Sequence, residues 1–177
     1  MQLETTRLLI RDWHPEADAA DAIAIYGNSQ VTQWIGDKSL DATVDAVQAR
    51  LERYRDRAAV FPGLGCWAVV QQDTGIIIGN ILLMPLPDRV NQPSGKVEIG
   101  WHFSPASWGH GYATEAARAI LNHAFTRLRL PAIYAVALPD NERSIKVMHR
   151  LYMNDLGLSD DYYGGYRLRL FCREAVI

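Results

Sequence analysis

The sequence predicts an α+β fold, with a six- to seven-stranded, mostly antiparallel mixed sheet flanked by about four helices. Three observations lead there. Apolar residues recur at helical spacing in some windows and form short β-rich runs in others. The two kinds of segment follow the order β-α-α-β-β-β-α-β-α-β, which sets helices among mostly hairpin-like strands in one layered arrangement. And 177 residues with no internal repeat, low-complexity tract or linker suit a single domain, residues 1–177, with a real core.

Residues 7–12, apolar in the middle and charged at both ends, read as the first strand. Pro15 suits an early helix position, and Ala19, Ala22, Ile23 and Tyr26 then recur at helical spacing up to Gly27. Residues 28–35 read as a short helix or turn ended by Gly36. Residues 41–59 form a clearer helix whose apolar stripe is Val44, Val47, Leu51, Tyr54 and Ala58. The period then changes. Residues 66–71 and 76–84 are β-rich runs joined by Gln72-Asp73-Thr74-Gly75, a hairpin turn. Residues 85–95, with three prolines, read as a loop. A strand follows at 96–104 and a long amphipathic helix at 112–128, its apolar face built from Ala116, Ala117, Ile120, Leu121, Ala124, Phe125 and Leu128. A strand at 132–138, a helix at 141–152, a Gly-, Asp- and Tyr-rich loop at 155–165 with room for a short strand, and a closing strand at 166–173 complete the chain.

Composition narrows the partners. The chain is 49% hydrophobic and 21% charged, with a net charge of −2, so no general attraction to nucleic acid or to an acidic membrane is expected. The first residues lack a basic segment followed by an apolar run, and no apolar segment is long enough to span a bilayer. Cys66 and Cys172 lie far apart in strand-like runs and read as buried reduced thiols. A cytoplasmic protein is expected. His102, His110, His123 and His149 show no paired ligand spacing, so no metal is expected.

The stretch that points to chemistry is Ser107-Trp108-Gly109-His110-Gly111-Tyr112-Ala113-Thr114-Glu115, between the strand at 96–104 and the helix at 112–128. Glycines flanking one residue let the backbone turn sharply and approach a ligand closely. The amides of such a turn, with the first N–H groups of the helix, make a site for a phosphate or pyrophosphate. No Lys stands in the turn, so backbone dipoles would hold the anion. The dinucleotide fingerprint needs a further Gly where Thr114 stands, and the P-loop needs Gly-Lys-Ser/Thr, which is absent.

Trp-Gly-His-Gly-Tyr-Ala-Thr-Glu-Ala after a Val-Glu-Ile-Gly strand resembles the acetyl-CoA-binding motif of the GNAT acetyltransferases, most closely their Rim-type branch of ribosomal-protein N-acetyltransferase-like enzymes. The family pattern is Gln/Arg-x-x-Gly-x-Gly/Ala; Gly111 and Ala113 match it, while Trp108 stands at the Gln/Arg place. The likeness covers residues 7–173. It implies the GNAT fold, with a cleft between two splayed strands for the pantetheine arm, and acetyl-CoA as co-substrate. It assigns Trp108, Gly109, His110, Gly111, Tyr112, Ala113 and Thr114 to the cofactor's diphosphate. It assigns the backbone at Trp101, His102 and Phe103 to the acetyl carbonyl and pantetheine amides. A homodimer is compatible with the family.

Acetyl transfer needs a donor for the growing oxyanion, a route for the amine's proton and an acid for the leaving sulfur. Along residues 96–104, Glu98, Gly100 and His102 share one face and Val97, Ile99, Trp101 and Phe103 the other. Glu98 is the candidate base, directly or through a water; the alternative is a structural carboxylate that positions the amine. Asn141-Glu142-Arg143-Ser144 matches the family's Asn-x-x-Ser/Ala, with Asn141 toward the pantetheine and also a natural helix N-cap. Ser144 offers a hydroxyl to the thiolate. The family's usual Tyr is replaced by Met148 and its Leu-Gly-Phe by Leu151-Tyr152-Met153; Tyr152 reads as a packing residue or a substitute acid. Glu115 reads as structural, in the first turn of its helix.

The expected activity is transfer of an acetyl group from acetyl-CoA to a primary amine, a protein N-terminus or a small molecule, by direct attack in a ternary complex. The alternative is an acyl-CoA sensor without turnover, and a weaker third reading is a nucleotide-binding domain.

Overall fold

In the computed structural model, residues 1–36 and 38–175 are described. The strands are β1 (Gln2–Glu4), β2 (Leu8–Asp12), β3 (Gly65–Gln71), β4 (Ile77–Pro87), β5 (Pro93–Phe103), β6 (Ala132–Ala137), β7 (Asn154–Ser159) and β8 (Leu168–Glu174). The helices are α1 (Pro15–Tyr26), α2 (Ser29–Thr32), α3 (Val44–Val60), α4 (Tyr112–Thr126) and α5 (Glu142–Arg150). The sheet has 8 strands in the order β1-β2-β3-β4-β5-β6-β8-β7. The β1–β2, β2–β3, β6–β8 and β7–β8 ladders are antiparallel and the β5–β6 ladder is parallel, so the sheet is mixed as expected.

Differences from the sequence reading have local causes. β1 is only three residues long and carries no apolar run; it exists because Gln2, Leu3 and Glu4 register with Arg11, Ile10 and Leu9 of β2. The Pro-rich stretch at 85–95 is a hairpin rather than a loop. β4 continues to Pro87 and β5 begins at Pro93, while Asp88 closes the turn by accepting from the amides of Val90 and Gln92, both at 2.9 Å. The stretch at 155–165 holds β7, bulged between Asp155 and Gly157, and a single 3₁₀ turn at Tyr163–Gly165. α3 starts at Val44, not Asp41, because Thr43 caps it through Ala46 N and the Asp41 carboxylate is taken by Arg50 at 2.5 Å. Val44, expected in the apolar stripe, is exposed.

The described chain gathers into two compact units, Met1–Leu82 with Trp101–Ala116, and Leu83–Gly100 with the chain from Ala117 on. In the first, α1 packs on α3, and α3 on β3. Its core holds Ala22, Ile25, Tyr26, Val47, Leu51 and Ala68, all with no exposed surface. In the second, β6 lies between β5 and β8, and Leu86, Tyr162, Leu168 and Leu170 form an apolar cluster. Cys66 and Cys172 lie in β3 and β8 and are not joined in a disulfide; Cys172 is buried as expected and Cys66 half-buried. Among the described residues, no helix is long and apolar enough to cross a membrane.

Candidate functional site

Glycine geometry defines the turn before α4. A 3₁₀ turn at Pro105–Ser107 ends β5, and Ser107 fastens it by donating to the Ser104 carbonyl at 2.8 Å. Gly109 and Gly111 then take φ of 83° and 81°, the left-handed region that side chains disfavour. A Cβ at Gly109 would meet nothing within 4 Å, and one at Gly111 only an Arg7 guanidinium nitrogen at 3.7 Å. The glycines therefore serve the backbone path, and the space beside them is open.

That path leaves a row of donors without a protein acceptor. The Trp108 amide is used by Pro105 O and the Glu115 amide by Gly111 O. Among the described residues, the amides of Gly109, His110, Gly111, Tyr112, Ala113 and Thr114 donate to no protein atom. Helix starts always leave such groups, and the helix dipole adds positive potential. The Thr114 hydroxyl, in a residue only 8% exposed, also lacks a partner. A buried polar atom without a partner is costly.

Trp108 braces the turn: its indole N–H donates to the Phe103 carbonyl at 2.8 Å. This engages one main-chain group of the 101–103 stretch expected to meet the pantetheine. Phe103 itself is buried, its ring tight against Gly79, where a Cβ would lie 2.6 Å away. Trp101 is half-buried. His102 stands edge-on to Tyr26, ring centroids 5.9 Å apart, with its Nδ1 3.4 Å from the Tyr26 hydroxyl. His110 is exposed and stacks on Tyr112 at 5.6 Å.

The sequence reading missed Arg7 at this turn. Its guanidinium donates to the His110 carbonyl at 3.1 Å, pairs with Glu115 at 2.6 Å and lies 4.5 Å above the Tyr112 ring. Thr5 adds a 2.6 Å hydrogen bond to Glu115. Burial works against the charge on Glu115, yet the bonds from Thr5 and Arg7 prevail and hold its carboxyl below the usual glutamate value. Glu115 is thus structural, as read, but as an anchor for the N-terminal segment as well as a helix-start carboxylate.

In the other unit, Glu98 registers against Tyr134 of β6 and is only 5% exposed. Its carboxylate accepts a hydrogen bond from the hydroxyl of Tyr163. Two residues earlier on β5, Lys96 donates to the Tyr162 hydroxyl and sits 4.9 Å from the Tyr134 ring centroid. The hydrogen bond to Tyr162 raises the proton affinity of Lys96 and keeps it charged. Asn141 caps α5 by accepting from Ser144 N at 3.2 Å, and the Ser144 hydroxyl has no protein partner among the described residues. Met148 is buried in α5, and Tyr152 is 78% exposed, which overturns its reading as a packing residue. Among the described residues, no group of three or more His, Cys, Asp or Glu side chains could hold a metal.

The chain matches the family model described as Acetyltransferase (GNAT) domain over residues 7–154. It is 31% identical over 161 residues to the uncharacterized N-acetyltransferase YnaD of Bacillus subtilis (strain 168), covering 89% of this chain and 85% of that one. Among solved structures, a GNAT-family acetyltransferase from Bacillus anthracis superimposes with a TM-score of 0.80 at 22% identity, over 98% of each chain. RimL, a ribosomal α-N-protein acetyltransferase in complex with coenzyme A, gives a TM-score of 0.80 at 13% identity, over 99% of this chain and 98% of that one.

Proposed function

Because the chain belongs to the GNAT acetyltransferases, whose co-substrate is acetyl-CoA, we propose that it acetylates a primary amine by direct attack in a ternary complex. The observation that carries this reading is the row of unpaired amides from Gly109 to Thr114, beside glycines at positive φ with open space next to them. Those amides, Thr114's among them, suit the diphosphate of coenzyme A, with Trp108, His110, Tyr112 and Ala113 shaping the turn. Main-chain groups at Trp101, His102 and Phe103 serve the acetyl carbonyl and pantetheine amides, and Asn141 the pantetheine. Glu98 takes the proton that the amine loses as the new N–C bond forms. Ser144 donates a hydrogen bond to the sulfur as the C–S bond breaks, and the thiolate takes its proton from solvent, giving the amide and free coenzyme A.

An α-amine, with a pKa of about 8, is partly neutral at physiological pH, whereas a lysine at about 10.4 needs more help from a base. The Rim-type likeness favours a protein N-terminus, and small amines belong to the same class. The reading treats residues 1–177 as one acetyltransferase domain, supported by the family match over 7–154. It includes a cytoplasmic setting, consistent with two cysteines not joined in a disulfide.

A second reading, an acyl-CoA sensor, draws on Met148, a buried thioether where the family carries a phenol. A thiol-release assay with acetyl-CoA and a panel of α-amino peptides and small amines tests both. Release with at least one amine supports the transferase; tight CoA binding by calorimetry with no release for any amine supports the sensor.

A further inference from the structure

Tyr163 sits in backbone geometry that its side chain disfavours. Its φ is 50°, between Tyr162 in extended conformation and Gly164 and Gly165 at 73° and 88°. A non-glycine residue held there is strained and persists only where the surroundings over-determine it. The surroundings do so at several points. Tyr162 forms a β-bridge with Asp88 of the β4–β5 turn, Gly164 N donates to Asp88 O at 3.4 Å, and Gly165 N donates to Tyr162 O at 3.0 Å. Arg89 pairs with Asp160 at 3.5 Å. Residues 160–165 are thus fastened to the β4–β5 turn, and the strained turn brings the Tyr163 hydroxyl onto the buried carboxylate of Glu98.

We propose that Tyr163 is the positioning residue of Glu98, fixing the orientation of its carboxylate and stabilising its charged form. The inference rests on the reading of Glu98 as the base. A buried carboxylate without a donor favours its neutral form, in which it accepts no proton; a phenol donor counters that. Groups near Glu98 include Lys96, two residues before it on β5, and Tyr134 opposite on β6. The Lys96 ammonium is engaged by Tyr162, and Tyr163 supplies Glu98 with a directed phenol donor. The sequence signal was present in the two tyrosines followed by two glycines at 162–165, which the loop reading passed over.

The test is a carbon-13 NMR titration of protein labelled at glutamate carboxyls, the Glu98 resonance being assigned by its loss in Glu98→Gln. Tyr163→Phe keeps the ring and the fold but removes the donor, and the Glu98 midpoint should rise by about one pH unit. Difluorotyrosine at 163, a stronger donor, should move it down. Opposite signs from the two replacements cannot come from a merely structural role. An unchanged midpoint in both overturns the inference. Thiol release with acetyl-CoA and a high-pKa amine, the side chain of Nα-acetyl-lysine amide, separates this from the base reading. If Glu98→Gln releases thiol at the wild-type rate, Glu98 is not the base, and the inference falls with it whatever the titration reads. If Glu98→Gln is slow but the midpoints do not move, the base reading stands and only the role of Tyr163 fails.

Discussion

Gly111 shows how a single residue carries the cofactor argument. Its φ of 81° excludes a comfortable side chain, yet almost nothing in the protein lies where a Cβ would go. Gly111→Val should strain the turn and fill the space beside the unpaired amides while the apolar cores, which do not include this position, keep the protein folded, and CoA affinity should fall at least tenfold. Circular dichroism checks the first outcome and calorimetry the second; unchanged affinity would count against the diphosphate site. Glu98 carries the argument for the base. Glu98→Gln should slow acetylation of high-pKa amines about tenfold more than that of α-amines, since only the former depend strongly on a proton acceptor. An equal loss for both classes, read from kcat/KM, would reduce Glu98 to a positioning carboxylate.

Elements show where such residues are held. α5 ends in a paired-bond cap: Met153 N donates to Met148 O at 3.1 Å and Tyr152 N to His149 O at 3.0 Å, with Met148 and Met153 both buried. This geometry calls for glycine at the left-handed position, which Tyr152 occupies at φ 55°. Relieving the strain outweighs glycine's extra unfolded-state entropy, so Tyr152→Gly should add about 0.5–1 kcal/mol, read as a higher Tm. The start of α1 depends on Asp18, which is buried, receives both Arg11 guanidinium nitrogens at 2.7 and 2.9 Å, and accepts from His14 N at 2.9 Å. Burial opposes the charge, but these bonds prevail and its carboxyl titrates below the ordinary 3.8. The stability it contributes is therefore present above that value and lost as pH falls through the lower folded value. Asp18→Asn should cost about 1–3 kcal/mol at pH 7 and flatten the fall in stability below pH 3.8, measured by urea unfolding across pH.

At the scale of the whole molecule, the question is whether catalysis passes through an acetyl-enzyme. The thiols offer little support for that route. Cys66 lies in β3, and burial pushes the Cys172 thiol in β8 up, away from the thiolate a nucleophile needs. Initial rates with both substrates varied should give intersecting lines; parallel lines would require a covalent intermediate. The elements of the fold were largely legible before the structure. α1 was read from Pro15 and its apolar spacing, and α4 from its long stripe. What escaped were β1, too short to show a pattern, and the β4–β5 hairpin, hidden by prolines that the ladder ends accommodate.

The sequence by itself determined the local features: the glycine bend at 109–111, the helix start that follows it, and an acidic residue on the strand before it. Backbone preference and periodicity belong to residues a few bonds apart, so one chain suffices to read them. Only the tertiary structure decided which distant groups meet. It brought Tyr163 to Glu98 across 65 residues and Arg7 to Glu115 across 108. Those pairings follow from the path of the chain through space, and neither tyrosine nor arginine carries in its own chemistry the address of its partner.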